Sequence, residues 1–215
     1  MKVTKLGHCA LVLETDGVKI LTDPGSYTVE AQNAQTGIDI VLITHEHQDH
    51  YHVDSLKKIL KNNPQAVVVT NAAVAVLISQ EDMRVTVNIV GDGQSISANG
   101  VLIEGFGKEH ALVYPPNMGL VENTGYFVAN KFYFPGDNFH NPGKKVDILA
   151  LPAWGPWMKM SQAVDFAKEI KARTGFAVHD GMLIPEFRGF IHQALKMFAP
   201  ETEFVELKDG ETREF

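Results

Sequence analysis

The sequence predicts a single α/β domain in which two sheets pack together and helices cover their outer faces. Short apolar runs typical of strands alternate with stretches of helical spacing, and this order roughly repeats in the second half of the chain. No linker, low-complexity stretch or short-period repeat interrupts the pattern. Two packed sheets with helices outside would bury the apolar side of every element. At 215 residues one core suffices, so we expect residues 1–215 to form one domain.

The first quarter of the chain predicts a hairpin and a buried strand. Residues 11–14 and 18–22 are short strand-like runs that flank Asp16-Gly17, a pair typical of tight hairpin turns. Residues 39–44 are almost continuously apolar, which is typical of a strand buried on both sides.

Further strands are expected at turn-bounded apolar runs along the rest of the chain. The segment 84–106 has a β pattern broken by Gly91-Asp92-Gly93 and Asn99-Gly100. The remaining predicted strands are residues 66–70, 126–128, 131–134, 146–151 and 176–178, of which 126–128 and 131–134 form a second hairpin.

Four helices are predicted from apolar residues at helical spacing. They begin near Val53, Ala72, Ser161 and Phe187, and Ser161 is expected to cap the third. The fourth is expected to present one apolar face, formed by Phe187, Phe190, Ile191, Leu195 and Phe198.

Composition narrows the functional class. Nineteen basic side chains against 26 acidic ones give a formal charge of −7, which argues against broad nucleic-acid binding. It does not exclude a small-molecule substrate, even an anionic one, because a metal site carries its own positive charge. Cys9 is the only cysteine, which excludes an intrachain disulfide and fits a reducing compartment.

The apolar run after Lys5 stops at Glu14, too short for a secretory signal, and no run approaches the roughly 20 apolar residues of a membrane span. We therefore expect a cytoplasmic protein without a membrane partner; the oligomeric state cannot be read from the sequence.

A histidine-rich loop carries the strongest chemical signal. Four of the nine histidines lie in residues 45–52, between a predicted buried strand and a predicted helix. Residues two apart in an extended segment face the same way, so His45 and His47 can bind one cation. Asp49 and His50, where the chain turns into the helix, can reach a second. Neutral imidazole with carboxylate suits zinc first, with manganese or iron as alternatives.

The alternative interpretation of this loop is a solvated or chance cluster, although its internal position and interleaved acids exclude a tag. A dinuclear site also needs ligands from elsewhere, because each zinc takes about four donors. Three candidates follow predicted strands: His110, Asp137 and His179. Each has a simpler reading, an exposed loop histidine for His110 and a local turn residue for the other two.

The pattern His-x-His-x-Asp-His at the end of a strand resembles the signature of the metallo-β-lactamase superfamily. Within it, the sequence is most similar to the compact branch that includes ascorbate phosphate lactonases. Outlying segments match in the family's order: Leu6-Gly7-His8, Leu21-Thr22-Asp23-Pro24, Pro135-Gly136-Asp137 and Val178-His179-Asp180.

The resemblance implies a four-layer αββα sandwich with a dinuclear metal site at one edge, between the sheets. It implies that His45, His47 and His110 bind the first cation. Asp49, His50 and His179 would bind the second, and Asp137 would bridge the two. Flavodiiron relatives carry an acid where this chain has His47, which favours hydrolysis over redox chemistry.

The expected reaction is metal-assisted hydrolysis of a small-molecule ester, lactone or phosphoester. Two neighbouring cations lower the pKa of a shared water, and the resulting bridging hydroxide attacks the substrate. Asp49 is the candidate for orienting that nucleophile and moving its proton. Two alternatives stay open: a metal-binding or partner-binding protein without turnover, and an RNA-processing nuclease, which the acidic charge disfavours.

Five further residues are candidates for the surroundings of the site. Asp23 either lies behind a metal-bound histidine or forms a turn before Pro24. His8 either points into the pocket or is hydrogen-bonded on the first strand. Tyr114, Trp154 and Trp157 are expected to wall a substrate pocket, or, for the tryptophans, to anchor a subunit interface. His52, His140 and His192 are left outside the site.

Overall fold

The computed structural model describes residues 1–116 and 120–215, which form two seven-stranded sheets and five helices. The strands are β1 Lys2–Gly7, β2 Ala10–Thr15, β3 Val18–Thr22, β4 Ile40–Ile43, β5 Val67–Thr70, β6 Val87–Ile89, β7 Ser95–Ala98, β8 Val101–Phe106, β9 Gly125–Val128, β10 Phe132–Phe134, β11 Ile148–Pro152, β12 Thr174–Val178, β13 Glu203–Phe204 and β14 Thr212–Glu214. The helices are α1 Val29–Asn33, α2 Val53–Asn62, α3 Ala72–Ser79, α4 Met160–Ile170 and α5 Pro185–Phe198.

The two sheets repeat one pairing scheme. The first has the order β14-β1-β2-β3-β4-β5-β6, and the second has the order β13-β12-β11-β10-β9-β8-β7. In the first sheet, the pairs from β14 to β3 are antiparallel and those from β3 to β6 are parallel. In the second sheet, the pairs from β7 to β10 are antiparallel and those from β10 to β13 are parallel. The repeated order of strands and helices seen in the sequence is thus a repeat of sheet topology.

Three hydrophobic clusters lie between the four layers of the fold, which are two layers of helices outside and two sheets inside. The central cluster lies between the sheets and joins residues such as Leu42 and Phe134. A second cluster packs α2 and α3 on the outer side of the first sheet, through Leu56 among others. A third packs α4 and α5 on the outer side of the second sheet, through Phe166 and Leu195. The four-layer αββα sandwich is therefore confirmed.

Local chemistry explains where several elements begin and turn. Asp16 and Gly17 have φ angles of +51° and +79°, the left-handed pair that a two-residue hairpin turn requires. Asn71 caps α3 by accepting a hydrogen bond from the Val74 N–H at 3.1 Å. The hairpin prediction is confirmed, while α1 and the short strands β13 and β14 had no clear signal in the sequence.

Two helix details differ from prediction. Ser161 is not the cap of α4, because the helix begins at Met160; the Gln162 side chain accepts the Lys159 N–H at 2.7 Å and secures this end. The predicted apolar face of α5 is also wrong. Ile191 and Leu195 are buried, whereas Phe187, Phe190 and Phe198 are about half exposed, because only the Ile191 side of the helix meets the second sheet.

In the described parts of the chain, no helix has the length and apolar character needed to cross a membrane.

Candidate metal centre

The predicted ligands meet at one edge of the sandwich, on loops that follow the ends of strands. The first sheet contributes the loops after β1, β3 and β4, and the second contributes those after β8, β10 and β12. These loops carry, in chain order, His8, Asp23, residues 45–50, His110, Asp137 and His179. Placement on the ends of packed strands gives each side chain a rigid base.

The histidine loop after β4 is shaped by its own backbone and by the loop after β3. The N–H groups of His50 and Tyr51 both donate to the His47 carbonyl, at 2.9 and 2.8 Å, and so turn the chain into α2. Gly25 lies directly against this loop: a Cβ there would stand 1.8 Å from the Asp49 carbonyl oxygen. Only glycine allows two backbones to approach this closely.

The candidate donor atoms form three groups, of which two are built mainly from histidines and the third joins Cys9 with His50 and Asp137. One nitrogen each from His45, His47 and His110 lie within 4.8 Å of one another. The second group, with the same spacing, joins donor atoms of Asp49, His50 and His179 with one from His8. The structure therefore brings together the two triads that the family pattern implies, and it adds His8 to the second.

Asp137 lies between the two groups. Its Oδ2 is 3.3 Å from His110 Nε2 and 2.9 Å from His179 Nε2, and its Oδ1 is 3.3 Å from His50 Nε2. The carboxylate thus faces the first group through His110 and the second through His50 and His179. This is the position a bridging ligand would need.

Four of the clustered histidines are held in one orientation by a hydrogen bond at Nδ1. The acceptors are Asp23 Oδ2 for His50, at 2.7 Å, Thr44 Oγ1 for His45, at 3.0 Å, and the carbonyls of Ala111 and Trp154 for His110 and His179. A proton on Nδ1 leaves the lone pair of a neutral imidazole on Nε2. All four Nε2 atoms and Asp137 Oδ1 are buried and none is aligned for a hydrogen bond, although the Nε2 atoms of His50, His110 and His179 lie 2.9–3.3 Å from Asp137 oxygens.

The four unpaired Nε2 atoms and Asp137 Oδ1 indicate whether the site suits a metal ion. Buried polar groups are nearly always paired, because an unsatisfied one costs about 1–3 kcal/mol. Convergent imidazole lone pairs beside carboxylates match the donors that zinc, manganese and iron take. The donor set therefore fits divalent cations.

Burial and mutual charge shift the pKa values of the cluster in opposite directions. Burial favours the neutral form of His45 and holds its pKa well below 6.5. Burial acts the same way on His179, but the Asp137 carboxylate outweighs it and raises the pKa of His179 to about 9. Burial opposes the charge of Asp137, yet His179 and His50 hold the pKa of that carboxyl well below its usual range. In the metal-free protein, the positive charge of the protonated His179 ring therefore balances the negative charge of the Asp137 carboxylate.

Asp23 and Thr44 support the ligands from behind. Asp23 is fully buried and accepts hydrogen bonds from the His50 ring, the Thr44 hydroxyl at 2.7 Å and the Thr44 N–H at 2.8 Å. Because the Thr44 hydroxyl gives its proton to Asp23, its oxygen is free to accept from His45. One carboxylate thus orients two of the clustered histidines, as carboxylates behind metal ligands commonly do.

Asp137 and the loop of His179 have supports of their own. Trp157 donates from Nε1 to Asp137 Oδ2 at 2.8 Å, and the Asn123 side chain accepts the Asp137 N–H at 3.0 Å. The buried Lys5 ammonium lies 2.8 Å from a carboxylate oxygen of Asp180, the residue after His179. Sequence reasoning missed Thr44, Asn123 and Lys5, because nothing in their local sequence distinguishes them from ordinary buried polar residues.

The predicted pocket residues have different environments. Trp157 is only 7% exposed and packs beside Asp137, so it supports the cluster rather than walling an open pocket. Trp154 is 40% exposed and contacts Phe187, while its carbonyl oxygen accepts from His179. Tyr114 is 71% exposed and has no contact with the cluster among the described residues.

Three histidines lie outside the donor set, and Cys9 lies at its margin, with its Sγ within 4.8 Å of donor atoms of His50 and Asp137. His52 precedes α2 and hydrogen-bonds Ser55, and His140 is exposed. His192 lies on α5, away from the cluster. Cys9 packs in the central core, where burial raises the pKa of its thiol well above 9.0. A protonated thiol is a poor metal ligand.

An open cleft of about 400 Å³ adjoins the second donor group. Its lining includes His8, Ser26, Tyr27 and Arg188. Asp49 is the most exposed residue of that group, with 23% of its side chain accessible. His8 is the member of that group that lines the cleft, so a molecule bound there would lie beside the second donor group.

Comparison with known proteins places the chain in a family. Residues 2–179 match the Beta-lactamase superfamily domain. Protein Rv0786c of Mycobacterium tuberculosis is 30% identical over 200 residues, which cover 91% of each chain. A UPF0173 protein of Pyrococcus abyssi is 31% identical over 189 residues, 84% of each chain. A UPF0173 metal-dependent hydrolase of Aeropyrum pernix is 37% identical over 89 residues, 40% of this chain and 36% of that one.

A solved structure has the same fold. Igni18, a metallo hydrolase of Ignicoccus hospitalis, superimposes with a TM-score of 0.77 over 100% of this chain and 98% of its own, at 21% identity. At that identity the match supports the architecture alone.

Proposed function

The chain belongs to the beta-lactamase superfamily and is a metal-dependent hydrolase, and we propose that it uses two divalent cations to hydrolyse a small-molecule ester, lactone or phosphoester. The cations would be zinc first, with manganese or iron as alternatives. His45, His47 and His110 would bind one, Asp49, His50 and His179 the other, and Asp137 both.

The observation that supports this proposal is the set of four buried Nε2 atoms without partners around Asp137. A histidine cluster that served stability alone would pair these atoms, because a buried unsatisfied nitrogen is costly. Two groups of donors with one carboxylate between them also suit two neighbouring cations better than one.

When bound, the pair of cations would activate a shared water and polarise the carbonyl or phosphoryl oxygen of the substrate. The Asp49 carboxylate would orient that water. Burial opposes its charge, but the nearby His179 ring and the hydrogen bond with His8 hold the pKa of Asp49 below its usual value, so it is ionised at neutral pH. Its Oδ2 faces the second donor group, which leaves Oδ1 to accept the proton and pass it to the leaving group.

Two alternatives predict different results. A binding protein on the same fold would take up metal without turning over any substrate. An RNA-processing nuclease would cleave a precursor RNA, which the formal charge of −7 disfavours.

The test is an assay of metal-stripped protein before and after loading with zinc, manganese or iron. The substrates would be an aryl ester, a γ-lactone, an aryl phosphomonoester and an aryl phosphodiester, with a structured RNA as a fifth. We expect metal to restore hydrolysis of at least one small molecule and leave the RNA intact. His192, partly buried on α5 away from the cluster, offers a matched control, because His192→Gln should retain full activity.

Two results would contradict the proposal. Protein that binds metal and hydrolyses none of the small molecules would support the binding alternative. Cleavage of the RNA alone would support the nuclease.

A further inference from the structure

His8 differs from the other clustered histidines in the direction of its hydrogen bonds. His8 Nδ1 accepts a hydrogen bond from the Gly181 N–H at 3.1 Å, whereas in His45, His50, His110 and His179 the Nδ1 atom faces an oxygen acceptor. A backbone N–H can only donate, so His8 Nδ1 must carry the lone pair. In a neutral imidazole the proton is then on Nε2.

That proton points at Asp49. His8 Nε2 lies 3.2 Å from Asp49 Oδ2, closer than the Nε2 atoms of His179 and His50, which lie at 3.4 and 3.6 Å. A nitrogen that carries a proton cannot ligate a metal through the same atom. His8 therefore has the location of an additional metal ligand but the hydrogen bonding of a proton donor.

The backbone around His8 is built to hold this arrangement. His8 itself has a φ of +48°, and the carbonyl oxygen of His8 accepts the His179 N–H at 3.2 Å. A Cβ on Gly181 would lie 3.0 Å from both Cβ and Nδ1 of His8, so only glycine brings the donating N–H this close without displacing the ring. Non-glycine residues with positive φ cost free energy and concentrate at functional sites.

We propose that His8 is a positioning residue that donates a fixed hydrogen bond to Asp49 and leaves a position on the second cation open for water or substrate. This inference rests on the proposed metal centre. A catalytic metal site keeps an open position for water or substrate, and one more protein ligand would close it. His8 also lines the 400 Å³ cleft beside the second donor group, so its ring contacts both that cleft and Asp49.

The first experiment compares His8→Ala and His8→Gln with the unmodified protein, using metal content by mass spectrometry and steady-state kinetics. A donor role predicts that His8→Ala still binds two equivalents of zinc. It also predicts that kcat falls about 10- to 100-fold, as for other groups that orient ligands. His8→Gln, whose amide can donate to Asp49, should recover part of kcat. Loss of one equivalent of zinc in His8→Ala would identify His8 as a ligand and overturn the inference.

The second experiment reads the protons directly by ¹⁵N NMR of histidine-labelled protein, with and without zinc. We expect His8 to be protonated on Nε2 in both samples, while His45, His50, His110 and His179 are protonated on Nδ1 once zinc is bound. A His8 ring protonated on Nδ1, with zinc-dependent shifts at Nε2, would contradict the inference.

These measurements distinguish a failure of the proposed function from a failure of the inference about His8. If the protein binds no zinc, the proposed function fails, and the tautomer of His8 in the metal-free sample still decides whether it donates or accepts. If the protein binds zinc but hydrolyses nothing, metal content in His8→Ala and the NMR pattern decide the role of His8 without an activity.

Discussion

The two sheets have the same strand order but supply the candidate metal centre in different ways. The first sheet provides four candidate ligands from the single loop between β4 and α2. The second provides three, His110, Asp137 and His179, from three loops that are far apart in sequence. One half of the centre is therefore a local structure, and the other half exists only once the second sheet has formed and packed on the first.

This difference has a physical consequence. A loop of nine residues, 44–52, can arrange its side chains through its own turns, whereas Asp137 and His179 depend on supports such as Asn123, Trp157 and Lys5. Because each proposed cation takes ligands from both sheets, metal binding should link the two halves of the sandwich. Substitutions in either half can test that link.

The largest effect is expected for Asp137→Ala, because Asp137 contacts both donor groups. We expect both cations to be lost on dialysis and hydrolysis to fall by more than about 100-fold, since replacing a group behind the ligands already costs about 10–100-fold. Mass spectrometry and the substrate assay measure the two effects. Asp165→Ala, an exposed position on α4, is the control. Two retained cations with activity within tenfold of the unmodified protein would show that Asp137 does not bridge.

A single substitution in either triad should remove only the cation that this triad binds. His47→Ala removes a half-exposed donor of the first group, and His179→Ala removes a buried donor of the second. Each variant should retain about one equivalent of metal of the two, because the other triad stays intact. The assignment of two groups is wrong if either variant keeps both cations.

A smaller effect is expected for Thr44→Val, which preserves shape and removes the hydroxyl between His45 and Asp23. Metal affinity should fall about 10- to 100-fold, because the orientation of the His45 ring is no longer fixed. Competition with a chromogenic chelator gives the affinity. Thr70→Val is the matched control: its hydroxyl bonds the Ile43 carbonyl outside the cluster, so its metal affinity should not change.

The smallest effect is expected in the pH dependence of the stability of the metal-free protein. The pKa of His179 is raised from 6.5 to about 9, mainly because Asp137 outweighs the effect of burial, so its charge stabilises the fold fully below pH 6.5. This contribution, on the order of 3 kcal/mol, should be lost as pH rises through 9. Denaturant unfolding of metal-free protein should show a fall in stability between pH 7 and 10. Metal-loaded protein should not, since the cation replaces the proton; equal falls in both samples would contradict this account.

Much of the fold could be predicted from the sequence, because β4, α2 and the hairpin of β2 and β3 each carry their own signal. The Asp16-Gly17 turn and the apolar run before Thr44 depend on local chemistry alone. The packing face of α5 could not be predicted, since Phe187 and Phe198 look like core residues until the position of the second sheet is known. The short strand β13 is defined by its partner β12 and has no local signal.

For the candidate site, the histidine loop is evident from spacing, whereas His110, Asp137 and His179 needed the order of motifs in a known family. The supports from Thr44 and Asn123 could not be predicted, because a buried hydroxyl or amide is common in any core. The direction of the His8 hydrogen bond depends on where Gly181 lies, which no sequence pattern near His8 indicates.

The most direct test of a centre shared by both sheets is the number of metal equivalents per chain. Protein would be purified without chelator or nickel affinity resin, titrated with zinc and measured by mass spectrometry after removal of free metal. We expect two equivalents, with the temperature of unfolding higher in the loaded protein because each cation joins both sheets. A value that stays near zero after addition of metal, or stops at one, would contradict the dinuclear centre.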